Sequence, residues 1–258
     1  MKRARILVGA ALAVIVFTVA GFAWIHSRSG LWNIVSSDCV PATRSGHPSK
    51  CAVVMPDGAS SAGYAVLKDR RGVLQYLLIP TRRVTGIEDP ALLAPRAGSY
   101  LADAWKERRW MDVSHHAPVP REDVALALNS AWSRSQDQLH VHISCVRPDL
   151  RARLAALGSS VKETWSTFPG GWHGHPYEIR RLSADSLDGT NLFDELARTH
   201  RDDMGRQAIA VVGGYVQGHP VFWILETHVD FSSGWLGGVE GDVQDHDCRV
   251  LGMRDSQP

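Results

Sequence analysis

The sequence predicts an α+β domain, an antiparallel sheet with helices packed against it, held behind one N-terminal transmembrane helix. Three observations predict it. Residues 6–25 carry no charge and are largely apolar, about the twenty residues that cross a bilayer. Short apolar runs of strand type recur along the rest of the chain, bounded by Gly, Pro, Asn and Asp. Between them lie a few longer segments with helical apolar spacing. No tandem repeat and no long low-complexity linker divides the chain. The expected organisation is therefore an anchor over residues 1–30 and one compact domain over residues 31–258.

In chain order, Met1-Lys-Arg-Ala-Arg5 is basic and should stay on the cytoplasmic side of the membrane, which places everything after His26 on the other side. A cleaved signal peptide is the rival, because Gly21-Phe-Ala23 offers small residues for processing. The apolar run is longer than a usual signal core, which favours an uncleaved anchor. Residues 31–39 read as a brief helix, and residues 40–50, rich in Pro, Ser and Gly, as a loop. Residues 64–68 and 74–79 read as strands joined by the charged turn Asp69-Arg-Arg-Gly72 and ended by Pro80. Residues 100–111 form a helix with Leu101, Ala104, Trp105 and Trp110 on its apolar side. Residues 124–129 and 136–144 are two strands around a polar loop. Residues 149–157 are helical, with Asp149 near the start and Gly158 at the end. Residues 162–177 hold the Gly-rich loop Phe168-Pro-Gly-Gly-Trp-His-Gly-His175, and residues 192–200 are helical. Residues 207–216 and 221–229 are strands around a Gln217-Gly218 turn.

The composition excludes some roles. Lys and Arg number 28 against 27 Asp and Glu, a net charge of +1, without the basic excess of a dedicated nucleic-acid binder. With 258 residues and 44% hydrophobic content the chain can bury a sizeable core and is not disordered. The four cysteines, Cys39, Cys51, Cys145 and Cys248, form no Cys-x-x-Cys pair, so a zinc ribbon is not expected. In an exported domain an even count implies two disulfides. Three connectivities are open. Cys39–Cys51 would close a short, sterically easy loop, and Cys145–Cys248 would then tie the tail to the strand at residues 136–144; four reduced thiols are the cytosolic alternative.

The most telling stretch is Gln136-Asp-Gln-Leu-His-Val-His-Ile-Ser144. Its period of two places Gln138, His140, His142 and Ser144 on one face and Leu139, Val141 and Ile143 on the core face. This stretch resembles the histidine-triad (HIT) superfamily, whose motif alternates three histidines with apolar residues on a strand. Gln138 stands at the first histidine position, His140 at the middle one and His142 at the third. Further matches at residues 63–68, 75–81, 142–149, 169–171, Gly174-His175 and Asp245-His-Asp-Cys248 extend the resemblance over nearly the whole chain. They make it similar to the bacterial CDP-diacylglycerol pyrophosphatases, a family of membrane-anchored HIT-like hydrolases.

The resemblance implies a HIT-like sheet and hydrolysis of CDP-diacylglycerol to CMP and phosphatidate through a nucleotidyl-histidine. It implies His140 as nucleophile, His142 as a phosphate contact that stabilises transition-state charge, and Gln138 as a third catalytic contact. Ser135, Gln136 and Asn129, with amides of the intervening loop, would bind the substrate. It also implies a bacterial inner-membrane location with the catalytic domain in the periplasm, and no metal or other cofactor. Acid assistance is dispensable to this reaction, because phosphatidate leaves as a phosphate monoester with a second pKa near 6.

Blander readings stand beside these. His-x-His on a strand also suits a metal pair, but Gln138 and Ser144 are poor zinc ligands. His115, His116, His173 and His246 read as surface or loop histidines, and His175 as a pocket candidate. The pairs Arg82-Arg83 and Arg180-Arg181 read as solvated. Gly213-Gly214 and Gly237-Gly238 lack the pattern of a phosphate loop. A HIT-like enzyme acting on soluble nucleotide diphosphates, or a non-catalytic anchored nucleotide-binding module, are the other functional classes. Oligomeric state is not legible.

Overall fold

In the computed structural model, the described residues are 28–47, 49–58, 62–94 and 100–253. The apolar run at residues 6–25 lies outside them. Among the described residues no helix is long and apolar enough to cross a membrane.

Among the described residues nine strands form one antiparallel sheet in the order β1-β2-β3-β5-β4-β8-β9-β7-β6. They are β1 (Cys51–Met55), β2 (Tyr64–Lys68), β3 (Tyr76–Pro80), β4 (Val124–Leu128), β5 (Val141–Cys145), β6 (Ser166–Thr167), β7 (Glu178–Leu182), β8 (Gln207–Val216) and β9 (His219–His228). Because strand side chains alternate, each central strand feeds two layers. Val124, Leu126 and Leu128 of β4 and Val141, Ile143 and Cys145 of β5 enter one core. That core is closed by α3 (Tyr100–Glu107), α4 (Arg109–His115) and α6 (Leu192–His200), through Tyr100, Trp105, Met111, Phe193 and Leu196. On the opposite face, Ala125, Ala127, Ala208 and Ala210 leave room for α5 (Pro148–Leu157), α7 (Val239–Val243) and the loop at residues 168–177.

The same second face is covered farther along the sheet by an N-terminal helical segment. It runs as α1 (Gly30–Ile34), a π-helical turn (Val35–Cys39) and α2 (Val40–Ser45). Val35 and Cys39 pack on Ala65, Leu67, Leu77 and Ile79 of β2 and β3. His142 is opposite Leu77 of β3 on one side and Ala127 of β4 on the other. It therefore sits between the N-terminal helical cover and the α7 cover.

Disulfides join Cys39 to Cys51 and Cys145 to Cys248. The first fastens the π-helical turn to β1. The second fastens the end of β5 to the C-terminal tail across 103 residues of sequence.

Several elements differ from expectation. The loop expected at residues 40–50 is helical to Ser45, because α2 continues directly from the π-helical turn, with Pro41 placed just after it. Gly46, at φ 71°, ends that helix. The helix expected over residues 100–111 breaks at Arg108 into α3 and α4. At the break the Glu107 carboxylate accepts hydrogen bonds from Tyr64 Oη and Trp110 Nε1, both at 2.9 Å. Strands β1 and β7 were not expected. In β7 the central Arg180-Arg181 pair masks the pattern, yet Arg180 is buried and salt-bridged to Glu195 at 2.6 Å, so this arginine pair is not simply solvated.

Candidate active site

The chain enters β5 from an irregular stretch, and the ladder begins only at Val141. Leu139 N–H bonds the Val84 carbonyl, which holds the approach against the exit from β3. His140 is the last residue before the strand and His142 lies within it. Their rings meet edge to face with centroids 4.9 Å apart.

His140 Nδ1 lies 2.7 Å from the Gln138 carbonyl. A carbonyl only accepts, so Nδ1 carries the proton and Nε2 keeps its lone pair. Nε2 has no protein partner among the described residues. His142 is held differently. Its Nδ1 is 3.2 Å from Gln75 Nε2 and 3.2 Å from a Glu240 carboxylate oxygen. Its Nε2 is buried without a partner. With Nδ1 held between Gln75 and Glu240, Nε2 is the ring nitrogen left to meet a ligand. Burial is the main cause that pushes both imidazoles down from 6.5 to about 4. The neighbouring His142 lowers His140 further, while the Gln138 carbonyl works against the shift. Both rings are therefore neutral at neutral pH.

Glu240, at the start of α7, joins these parts. Its Oε1 is 3.2 Å from Gln75 Nε2 and 3.5 Å from His246 Nε2, and its Oε2 accepts from Asn129 Nδ2 at 3.2 Å. Asn129 Oδ1 in turn accepts the Glu240 N–H at 2.9 Å. Gln75 also donates to Asp69 at 2.9 Å. The loop at residues 168–177 braces α7 from outside: Tyr177 Oη donates to Asp242 at 2.7 Å, His173 Nδ1 is 2.7 Å from the same carboxylate, and Trp172 Nε1 donates to the Asp242 carbonyl. Gly171 is required in that loop, since a Cβ there would collide with the His175 carbonyl oxygen. His175 itself stacks on Trp235, with centroids 3.8 Å apart.

The structure thus brings His140, His142 and Asn129 into one connected network and places the other expected residues elsewhere. Gln138 is fully buried, and its amide donates to the Pro80 and Arg82 carbonyls at 3.1 and 2.9 Å while its Oε1 accepts from Val84 N–H at 3.5 Å. Both its donors are directed to the β3 exit. Gln136 accepts the Leu31 N–H and donates to the Ser135 carbonyl, so its amide serves the N-terminal helix rather than a ligand. The amides of residues 131–134 are likewise committed: Ala131 to Gly205, Trp132 and Ser133 to Ser130 Oγ, Arg134 to the Ser130 carbonyl. Ser135 is exposed, and its hydroxyl has no partner among the described residues. Glu240, Gln75 and Asp69 were not expected at the site. His246, read as a surface or loop residue, reaches Glu240. Among the described residues no group of three or more His, Cys, Asp or Glu is arranged to hold a metal ion.

Comparison with known proteins adds three findings. The family described as CDP-diacylglycerol pyrophosphatase matches residues 26–252. A CDP-diacylglycerol pyrophosphatase of Yersinia pestis is 38% identical over 248 residues, 93% of each chain. Among solved structures, a DUF4931 family protein from Bacillus cereus aligns over 69% of this chain and 87% of its own, at 13% identity and a TM-score of 0.37.

Proposed function

This chain belongs to the CDP-diacylglycerol pyrophosphatase family, and from that premise we propose that it cleaves its substrate through a cytidylyl-histidine formed on His140. The reaction is hydrolysis of the diphosphate bond of CDP-diacylglycerol, which gives CMP and phosphatidate and belongs to phospholipid metabolism.

The single observation that carries the mechanism is the 2.7 Å contact between His140 Nδ1 and the Gln138 carbonyl. It fixes the tautomer in which Nε2 is the nucleophile. The Nε2 lone pair attacks the cytidine-side phosphorus. The bond from that phosphorus to the bridging oxygen breaks, and its electron pair leaves with phosphatidate. The imidazole becomes cationic as it is phosphorylated, and the carbonyl on Nδ1–H stabilises that charge. Water then attacks the same phosphorus, loses a proton to solvent, and CMP leaves as Nε2 recovers its lone pair. Splitting one hydrolysis into two displacements lowers each barrier. With Nε2 protonated, His142 donates to a non-bridging oxygen, and Ser135, exposed on the loop that leads into His140, supplies a further hydroxyl. Gln138 acts through its main chain on His140 and through its amide on the 80–84 loop. The covalent step is written without a metal ion.

The finer expectations join this reading. The His-x-His pair entering a central antiparallel strand supports a HIT-like fold. The apolar run at residues 6–25 behind a basic N-terminus supports an inner-membrane anchor with the catalytic part in the periplasm, and two disulfides suit that compartment. An anchored enzyme meets a lipid-linked nucleotide at high effective concentration.

A detergent-solubilised assay with CDP-diacylglycerol tests the reading. CMP release should persist with a chelator and vanish in His140→Ala. Full activity in that variant, or loss with the chelator alone, would overturn it.

A further inference from the structure

The scissile diphosphate of this substrate is esterified directly to diacylglycerol, so it lies in the headgroup layer of the bilayer. A domain that floats clear of the membrane on a tether cannot reach it. The start of the described chain answers this problem. Arg28 forms a two-point salt bridge with Asp137, Nε to Oδ2 and Nη2 to Oδ1, each at 2.7 Å. Asp137 N–H bonds the Arg28 carbonyl at 2.7 Å, and Arg28 Nη1 reaches the Arg134 carbonyl. Three residues on, Leu31 N–H bonds Gln136. The chain leaving the apolar run is thus fastened to the loop that leads into His140. Arg28 lies three steps along the chain from Ile25, the end of that run, a span of about 10 Å at full extension. The membrane surface can therefore lie no farther than that from the active-site loop.

That loop and its neighbour carry an exposed apolar ridge. Trp132 is 57% exposed and Phe231 54%, and their rings meet edge to face at 4.9 Å. Leu236 is 42% exposed, and its carbonyl accepts from Ser130 Oγ, which sets its backbone beside the turn that carries Trp132. Arg206 lies over the Phe231 ring at 5.4 Å. Indole and phenyl groups flanked by arginine are the side chains that settle at a lipid headgroup interface.

We propose that the Trp132–Phe231–Leu236 ridge docks on the phospholipid bilayer and turns the His140 face toward it, the Arg28–Asp137 clamp fixing that orientation. The proposal rests on the anchor reading above. Docking presents the diphosphate to Nε2 without lifting the lipid out of the membrane, because the clamp ties the anchor exit to the loop that leads into His140.

Fluorine NMR of the full chain, labelled with fluorotryptophan and held in phospholipid bicelles, separates the possibilities. The Trp132 and Trp24 resonances are assigned by their disappearance in Trp132→Phe and Trp24→Phe. A spin-labelled phospholipid should broaden both and leave buried Trp223 sharp. Broadening of Trp24 without Trp132 would overturn the docking face and leave the anchor standing; that is also the outcome if the ridge is covered by a second copy or by the chain itself. Broadening of neither would overturn both. As a second reading, Trp132→Ser with Phe231→Ser should raise KM for CDP-diacylglycerol in vesicles by about tenfold and leave turnover of a dispersed short-chain substrate unchanged. Equal effects on the two substrates would contradict the proposal.

Discussion

The two imidazoles of the site are neighbours at the entry to β5, yet they are held by different means. His140 takes its orientation from a main-chain carbonyl two residues away. His142 takes its orientation from Gln75 and Glu240, which lie 67 and 98 residues distant in sequence, and Glu240 is positioned by Asn129. A main-chain partner survives almost any substitution that preserves the fold. A side-chain partner can be removed. The group that makes and breaks a covalent bond thus has the more robust support, and the group that only steadies charge depends on a network gathered from β3, β4 and α7.

Substitutions can break this contrast in order of effect. His140→Ala should lower kcat by about 10⁴-fold or more, since it removes the nucleophile; steady-state CMP release checks it. His142→Ala should cost about 10²- to 10³-fold, the range for one lost donor at a developing charge. Glu240→Gln keeps the packing and removes the charge, and should lower kcat by about tenfold with little change in KM. If Glu240→Gln and wild type turn over equally, the side-chain network is not what orients His142. Gln138→Ala should have the least effect on turnover, because the carbonyl that serves His140 remains. Its expected cost is stability, about 1–3 kcal/mol for three buried backbone groups left short of a partner, read from chemical denaturation.

Titration sharpens the same contrast. Neutral imidazole is the working form of His140, and burial lowers its pKa from 6.5 to about 4. The acid limb of kcat/KM should therefore lie well below pH 6.5, toward pH 4, and a limb centred at 6.5 would contradict a buried nucleophile. The stability linkage has the same sign. The stability associated with keeping both rings neutral is fully present above pH 6.5 and is lost as pH falls through about 4, because the unfolded chain binds those protons first.

What the sequence revealed follows the same division between local and distant. The period of two correctly put Leu139, Val141 and Ile143 on the core side, because alternation is a property of the strand itself. It misled at Gln138. Alternation assigns that side chain to the histidine face, but the ladder starts at Val141, and before it the chain turns toward the β3 exit. The hairpin of β8 and β9 was legible from Gln217-Gly218, whose φ values of 52° and 78° are those its turn requires. Strand β7 was hidden by two arginines, one of which, Arg180, is buried against Glu195 and Trp165, neither of them adjacent in sequence. Glu240 had no local signal at all. Its role exists only once β3, β4 and α7 have converged.

The most direct test of the covalent claim is to trap the intermediate. The enzyme is mixed with CDP-diacylglycerol carrying radiophosphorus on the cytidine side, quenched in alkali during the first turnover, and the labelled peptide is sequenced by mass spectrometry. The account predicts an alkali-stable, acid-labile cytidylyl group on His140, absent from His140→Ala. Full CMP release without any labelled protein, accompanied by inversion of configuration at a chiral cytidine-side phosphorothioate, would mean that water attacks directly and that His140 is not a nucleophile.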